Sequence, residues 1–348
     1  MANPTTLTLD DISLLLVWTA IAVYALGFLA YATDLSRRSA STVTPHRMPV
    51  LAGSRTGPAT GPSPEDDPHS TAAASDRLAS DKASRYVWAR IGTTLTTLGF
   101  VLHLGGTLAR GVAADRVPWA NMYEFALTGT LLIVAVYLAV LRRYDLRFLG
   151  AFLIGMVVLL LGGAALSFYV EVTPLMDPLK SVWLVIHVFV ASLATALFAI
   201  ACGLSVTQLL QSRRERHTAP TRRQIAPLEP SVAARKRSYL DTLPPADTLE
   251  ALAYRFAIVG FVAWTFTLIA GAIWANDSWG RYWGFDTKEV WTFVIWVLYA
   301  GYIHARATKG WRGVRSAWLS IVGFAAVLFN FTVVNMFFKG LHSYSGLS

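Results

Sequence analysis

Runs of apolar residues, each close to the roughly 20 needed to cross the hydrocarbon core of a bilayer as helix, recur along this chain. Eight are present, near residues 12–32, 87–108, 120–141, 148–170, 182–210, 252–274, 289–307 and 316–338. Only helices or closed barrels satisfy their backbone in lipid, and runs of this length belong to helices. The pattern predicts an all-α polytopic membrane protein with about eight transmembrane helices. Two long polar breaks interrupt it. Residues 34–85 are rich in Ser, Thr, Ala, Pro and Asp, and the segment 211–250 carries Arg213, Arg214, Arg216, Arg222, Arg223, Arg235, Lys236 and Arg237. Neither has an apolar period, so both read as solvated, disordered loops. The chain thus divides into a first helix within 1–33, a loop at 34–85, and a transmembrane domain over 86–348. The first run follows Asp10 and Asp11 rather than a basic stretch, so it reads as a retained helix and not a cleaved leader.

Composition supports the class. Of 348 residues, 54% are hydrophobic and only 15% charged, with a mean hydropathy of +0.47. The net charge of +9 does not mark a nucleic-acid binder, because the basic residues lie in loops between apolar runs rather than on one amphipathic face. That distribution sets membrane orientation. With the N-terminus outside, all but six of the 30 Arg and Lys fall at cytoplasmic positions; the exceptions are Arg110, Arg116, Lys180, Arg281, Lys288 and Lys339. Both termini and the segment 275–288 are then expected outside a plasma membrane. The one cysteine, Cys202, lies in an apolar run, so the chain carries neither a dithiol pair nor a cysteine metal cluster.

The predicted outer segment reads Trp274-Ala-Asn-Asp-Ser-Trp279-Gly-Arg281-Tyr282-Trp283-Gly-Phe285-Asp286-Thr-Lys288-Glu289, followed by Trp291 and Trp296. Interface belts scatter one or two rings per helix end. Here the rings crowd one loop, with Gly280 and Gly284 between them to let backbone approach a flat object. The arrangement points to a shelf for a large planar ligand. The run Trp279-Gly-x-x-Trp283-x-x-Asp286-x-Lys288-Glu289 resembles the tryptophan-rich WWD signature of membrane haem-handling proteins. The similarity is greatest to the CcsA/ResC branch (CcsB in some bacteria) of the Ccs-type cytochrome c synthesis system. Pro118-Trp-Ala-Asn121-Met-Tyr123-Glu124, Trp183-Leu-Val-Ile-His187-Val and Gly340-Leu-His342-Ser-Tyr resemble further motifs of that family, in its order. Phe285 stands where the family often has a third Trp, and Thr287 where Pro is common.

Haem iron commonly takes axial nitrogen from His. His187 and His342 fall on the same predicted side as the aromatic loop, and the resemblance implies the same roles, as external haem ligands. His304 lies roughly 20 Å along the seventh run, at 1.5 Å per residue, in the inner half of the membrane, where an ionisable side chain is costly and usually functional. The resemblance implies a transmembrane haem position there, with the facing ligand from another subunit. His103 reads as structural or accessory, and His46, His69 and His217 as solvated loop residues. Trp274, Trp279, Trp283 and Phe285 would form the shelf. Arg110, Arg281 and Lys288 are candidate partners for haem propionates, Asp286 or Glu289 can pair with one of them, and Glu124 with Arg110 or Arg116.

The resemblance implies haem b (iron protoporphyrin IX) as the group handled, presented at the outer face for covalent attachment to apocytochrome c. The chain would then be a subunit of a holocytochrome c synthase of the haem lyase type. The implied partners are a ResB/CcsB-like membrane subunit, a thioredoxin-like thiol reductant and apocytochrome c. Two other classes stay open at this point: a bis-His b-type electron-transfer cytochrome, and a transporter of another amphipathic solute.

Overall fold

The computed structural model describes residues 7–40, 87–223, 239–308, 310–338 and 340–341, and every regular element among them is helical. Eight long helices follow in order: α1 (Leu9–Ala40), α2 (Val87–Ala114), α3 (Met122–Leu141), α4 (Gly150–Ser167), α5 (Val182–Arg223), α6 (Ala246–Trp279), α7 (Thr287–Ala307) and α8 (Val314–Phe329). The chain of α8 runs on through a π-helical turn, Asn330–Val334, into Asn335–Phe337. Seven of the eight are long and apolar enough to cross a membrane; α7 is the other. Its apolar run is diluted by Trp291, Trp296, Tyr299, Tyr302, His304 and Arg306.

The apolar runs locate the helices well but end some of them too early. Two ends are corrected. α1 continues past residue 33 to Ala40, and α5 continues past 210 to Arg223, so the segments read as loops from 34 and from 211 both begin as helix. Arg37, Arg38, Arg213 and Arg214 are good helix formers and carry both helices past their apolar runs, with Pro220 only in the last turn of α5. The apolar run marks where lipid ends, whereas the helix runs until its residues cease to favour it. Residues 41–86 and 224–238 lie outside the described set.

Packing relies on small residues where helices cross. A Cβ at Gly92 would lie 2.9 Å from the Tyr31 ring, and one at Gly99 2.7 Å from that of Tyr24, so α2 can approach α1 only with glycine there. This is the close approach by which helices associate in lipid, where no hydrophobic force separates helix from solvent. α5 is the central element, packed on α3, α4, α6 and α8, and Phe198 on it stacks on Tyr299 at 3.6 Å between centroids.

The bundle has two unlike ends. At one, the start of α1 meets the end of α2 (Asp10 to Arg110, 2.6 Å), and the segment before α5 meets the end of α6 (Ser181 to Asp277, 3.0 Å). At the other, Arg38 reaches Thr242 (3.3 Å), Arg306 pairs with Glu250 (2.6 Å), and Arg214 pairs with Asp241. The first carries the aromatic loop and the second most of the arginines.

Candidate functional site

Beneath the aromatic end lies a cavity of about 1360 Å³, open mouth included, walled by α3, α5, α6, α7 and α8 with Met156 and Leu160 of α4. Its deep wall is mainly apolar, with Ile133, Phe324, Val327 and Leu328 beside the hydroxyls of Thr130, Ser192 and Thr195. Polar groups collect nearer the loop: His187, Thr267, Lys288, Thr292, Asn330 and Asn335. A largely apolar pocket with a few convergent polar groups is the usual form of a ligand site.

His187 is placed by its neighbours on α6. Its Nδ1 lies 2.9 Å from the carbonyl oxygen of Thr267. A carbonyl oxygen only accepts, so Nδ1 carries the hydrogen and Nε2 carries the lone pair. That tautomer, fixed by a backbone carbonyl behind the ring, is the form in which metal-ligating histidines are held. The ring lies against Gly271, where a Cβ would come within 2.7 Å of it, and stacks on Trp274 at 5.9 Å and 24°.

The aromatic loop divides into an inner and an outer set. Trp274 is buried, donates its indole hydrogen to the Pro178 carbonyl at 2.8 Å, and meets Trp279 edge-on at 4.9 Å. With Leu179, Leu184 and Val188 they form a small core of their own. Trp283 and Phe285 face outward, 6.1 Å apart, with Trp283 also 6.5 Å from Phe293 of α7. Phe285 is 81% exposed and has φ +56°, a left-handed conformation unusual for a side chain of that size. Arg281 is exposed, with its guanidinium lying over Gly284. Asp286 and Glu289 form a capping box at the start of α7, and Glu289 accepts from the backbone of Gly284 (2.8 Å) and Asp286 (3.1 Å). Their first role is therefore to fold the loop back onto α7.

Of the candidate cations, the structure separates three fates. Arg110 is fully buried away from the cavity, paired with Asp10 (2.6 Å) and Glu124 (3.1 Å) and donating to the Val170 carbonyl (2.6 Å); Arg116 completes the cluster on Glu124 (2.6 Å). Tyr169, in the segment after α4, donates to Asp10, and burial together with that bond pushes its phenol up to about 12. Arg281 stands outside, on the loop. Lys288 alone lines the cavity, its ammonium donating to Asn335 Oδ1 and lying 6.0 Å from the Phe125 ring.

The remaining histidines separate as well. His304 is exposed on the lateral face of α7, on the same stripe as Val297 and Gly301, toward the basic end. His103 is buried between α1 and α2, 3.3 Å from the Tyr24 hydroxyl, as fits a structural role. His217 is exposed. His342, His46 and His69 lie outside the described residues. Gly340 packs on Asp286 so closely that no Cβ would fit, which brings the chain two residues before His342 onto the start of α7. The structure thus gathers His187, Trp274, Trp279 and Lys288; it leaves Trp283, Phe285 and Arg281 on the outer surface and His304 at the other end.

Sequence reasoning passed over Trp119, Thr267, Gly271, Asn330 and Asn335. The two asparagines were legible as amides inside an apolar run. Asn330 opens the π-helical turn and Asn335 follows it, and such turns concentrate at functional sites. Gly271 and the Thr267 carbonyl had no signal in one sequence.

The family model described as "Cytochrome C assembly protein" matches residues 119–342. A cytochrome c biogenesis protein CcsA from Guillardia theta is 33% identical over 263 residues, covering 74% of this chain and 85% of the relative. One of the same name from Synechocystis is 32% identical, covering 68% and 82%. A solved structure titled "Cytochrome c Heme Lyase CcmF" is similar over 95% of this chain with a TM-score of 0.58. At 16% identity that likeness concerns the fold, and the present chain spans about half (48%) of the other's length.

Proposed function

Because this chain belongs to the cytochrome c assembly protein family, in its CcsA-type branch, and so is a multi-pass membrane protein of cytochrome c assembly, we propose that it presents haem at the aromatic end of the bundle for covalent attachment to apocytochrome c. The observation that carries this reading is His187. Its Nδ1 is committed to the Thr267 carbonyl, its ring is seated by Gly271 and Trp274, and it lines the cavity. The residues present suit a flat, apolar macrocycle with an iron centre and polar edges. His342, carried two residues beyond the Gly340–Asp286 contact, is the second proposed ligand.

Haem held here supplies vinyl groups to which the two thiols of an apocytochrome CxxCH motif add. The chain's own residues do the rest. His187 fixes the iron face, Trp274 and Trp279 wall the inner edge, and the outward pair Trp283 and Phe285 offers a surface beside the mouth for the incoming polypeptide. The thiols must be reduced to add. With Cys202 buried and no second cysteine in the chain, reductant comes from a thioredoxin-like partner. In this reading the aromatic end faces outside the plasma membrane and the arginine-rich end the cytoplasm, an orientation that the basic loops support. His304, beside Gly301 on a lateral face, is a transit ligand whose opposite number comes from a ResB/CcsB-like subunit.

The test is spectral. The chain is co-expressed with its membrane partner, purified in detergent, and scored for bound haem and for ligand field in wild type and His187→Ala. Loss or shift of the haem bands in the variant, with recovery on adding imidazole, is expected. Wild type without haem, or a variant with unchanged bands, would refute the assignment.

A further inference from the structure

A buried ammonium is costly unless something answers its charge. Among the described residues, the other little-exposed cations have such an answer: Arg110 has Asp10 and Glu124, Arg116 has Glu124, Arg306 has Glu250, and Arg38 has Asp34. Lys288 lines the cavity with a neutral amide, Asn335, and an aromatic ring, Phe125, as its contacts; the charge of Asp286 acts on it, yet it forms no ion pair among the described residues. A second polar group in the same wall is also unanswered. Trp119 lines the cavity, and its indole Nε1, a donor only, is buried with no acceptor. A third is the Oδ1 of Asn330, a buried acceptor without a donor, which suits a bridging water. A cation and a lone N–H donor in one apolar wall call for an anion with an accepting oxygen.

We propose that Lys288 and Trp119 form a carboxylate-reading subsite in the cavity, with Asn335 steering the ammonium and Asn330 holding an accompanying water. Resting on the haem reading above, this assigns the subsite to a propionate and so sets which edge of the macrocycle lies against the polar side of the cavity. The carboxylate takes a charge-assisted bond from Lys288 and a second from Trp119. The propionate edge is thereby held on the polar side of the cavity, against the start of α7 and the segment before α3. Arg110 is excluded from this role by its own ion pairs, and Arg281 by its place on the loop exterior.

The test separates the carboxylate from the iron. Metal-free protoporphyrin IX and its dimethyl ester are titrated against purified full-length protein by fluorescence, alongside haem itself. Wild type should favour the free acid over the ester, and Lys288→Met should lower that ratio roughly tenfold to a hundredfold, the range of a charge-assisted bond. Taking the ratio between variant and wild type cancels the greater partitioning of the ester into detergent. Trp119→Phe keeps the ring, removes only the donor, and should lower the ratio by about tenfold. A ratio unchanged in both variants while haem still binds overturns the subsite and leaves the haem reading standing. Failure of wild type to bind haem or either porphyrin overturns both.

Discussion

Arg110 is a buried cation and Lys288 a half-buried one near the same end of one bundle, and they have contrasting surroundings. Arg110 sits where α1, α2 and α3 meet, with two carboxylates and a backbone carbonyl taking up its fork of donors. Lys288 sits across the bundle at the start of α7, facing a cavity, with no carboxylate bonded to it among the described residues. The first cluster is closed on itself. Glu124 also accepts from the backbone of Ala120 at 2.9 Å, and Asn121 caps α3 by accepting from the backbone of Glu124 at 2.9 Å, so the whole Pro118–Glu124 segment is tied down. The second has no carboxylate bonded to its cation among the described residues, only the charge of Asp286 nearby. A region that satisfies its own charge serves the fold, and one that leaves charge unanswered in an apolar wall is arranged for a ligand.

The sharpest way to break the contrast is to remove each charge. Arg110→Met leaves Asp10 and part of Glu124 buried without a cation, which costs about 3–5 kcal/mol. The variant should show a large drop in unfolding midpoint in detergent, or fail to accumulate in the membrane. Lys288→Met removes a cation with no carboxylate bonded to it among the described residues, and Asp286 keeps its capping bonds, so its unfolding midpoint should hold or rise slightly. If the two variants lose stability equally, the distinction between a closed and a ligand-directed cluster does not hold.

How much of this was readable without coordinates follows the same division. The pairing of Glu124 with Arg110 and Arg116 was open to sequence reasoning, because charged residues flanking apolar runs must find each other. The helices were placed by their apolar content to within a few residues, as with 289–307 against the observed Thr287–Ala307. Helix ends were missed where arginines extend a helix beyond its apolar stretch. The aromatic loop was read as a single shelf; the structure turns Trp274 and Trp279 inward and Trp283 and Phe285 outward. That split is set by the left-handed backbone at Gly280 and Phe285 and by the capping box at Asp286 and Glu289. Asp286 and Glu289 were read as charges when their local use is as caps. The tautomer of His187 depends on a carbonyl 80 residues away, which no single sequence reveals.

A smaller effect sharpens the comparison at two glycines. Gly271 lies behind His187, and a Cβ there would meet the imidazole at 2.7 Å; Gly301 beside His304 has nothing within 4 Å. Gly271→Ala should cost about 1–3 kcal/mol through overpacking and displace the ring from the Thr267 carbonyl, lowering haem content along with stability. Gly301→Ala should leave the isolated chain within about 0.5 kcal/mol of wild type. If it also weakens co-purification of the membrane partner, the lateral face of α7 is where that subunit docks.

The smallest expected effect is at Phe285. A side chain at φ +56° costs on the order of 1 kcal/mol, and at 81% exposure the ring recovers little of this by burial. Phe285→Gly should therefore raise stability by about 1 kcal/mol or leave it level. A purely structural loop would have glycine at such a position, as it does at Gly280, where φ is +69°. An exposed aromatic ring held in a strained turn beside Trp283 is better explained by what it meets outside the chain. The prediction is thus double: Phe285→Gly keeps haem and gains or holds stability, yet lowers the yield of holocytochrome c. Phe285→Trp preserves that yield, because it keeps a large flat surface at the mouth. Should Phe285→Gly assemble cytochrome c as well as wild type, the outward pair has no part in receiving the apocytochrome. The function then rests on the inner set, His187, Trp274 and Lys288, alone.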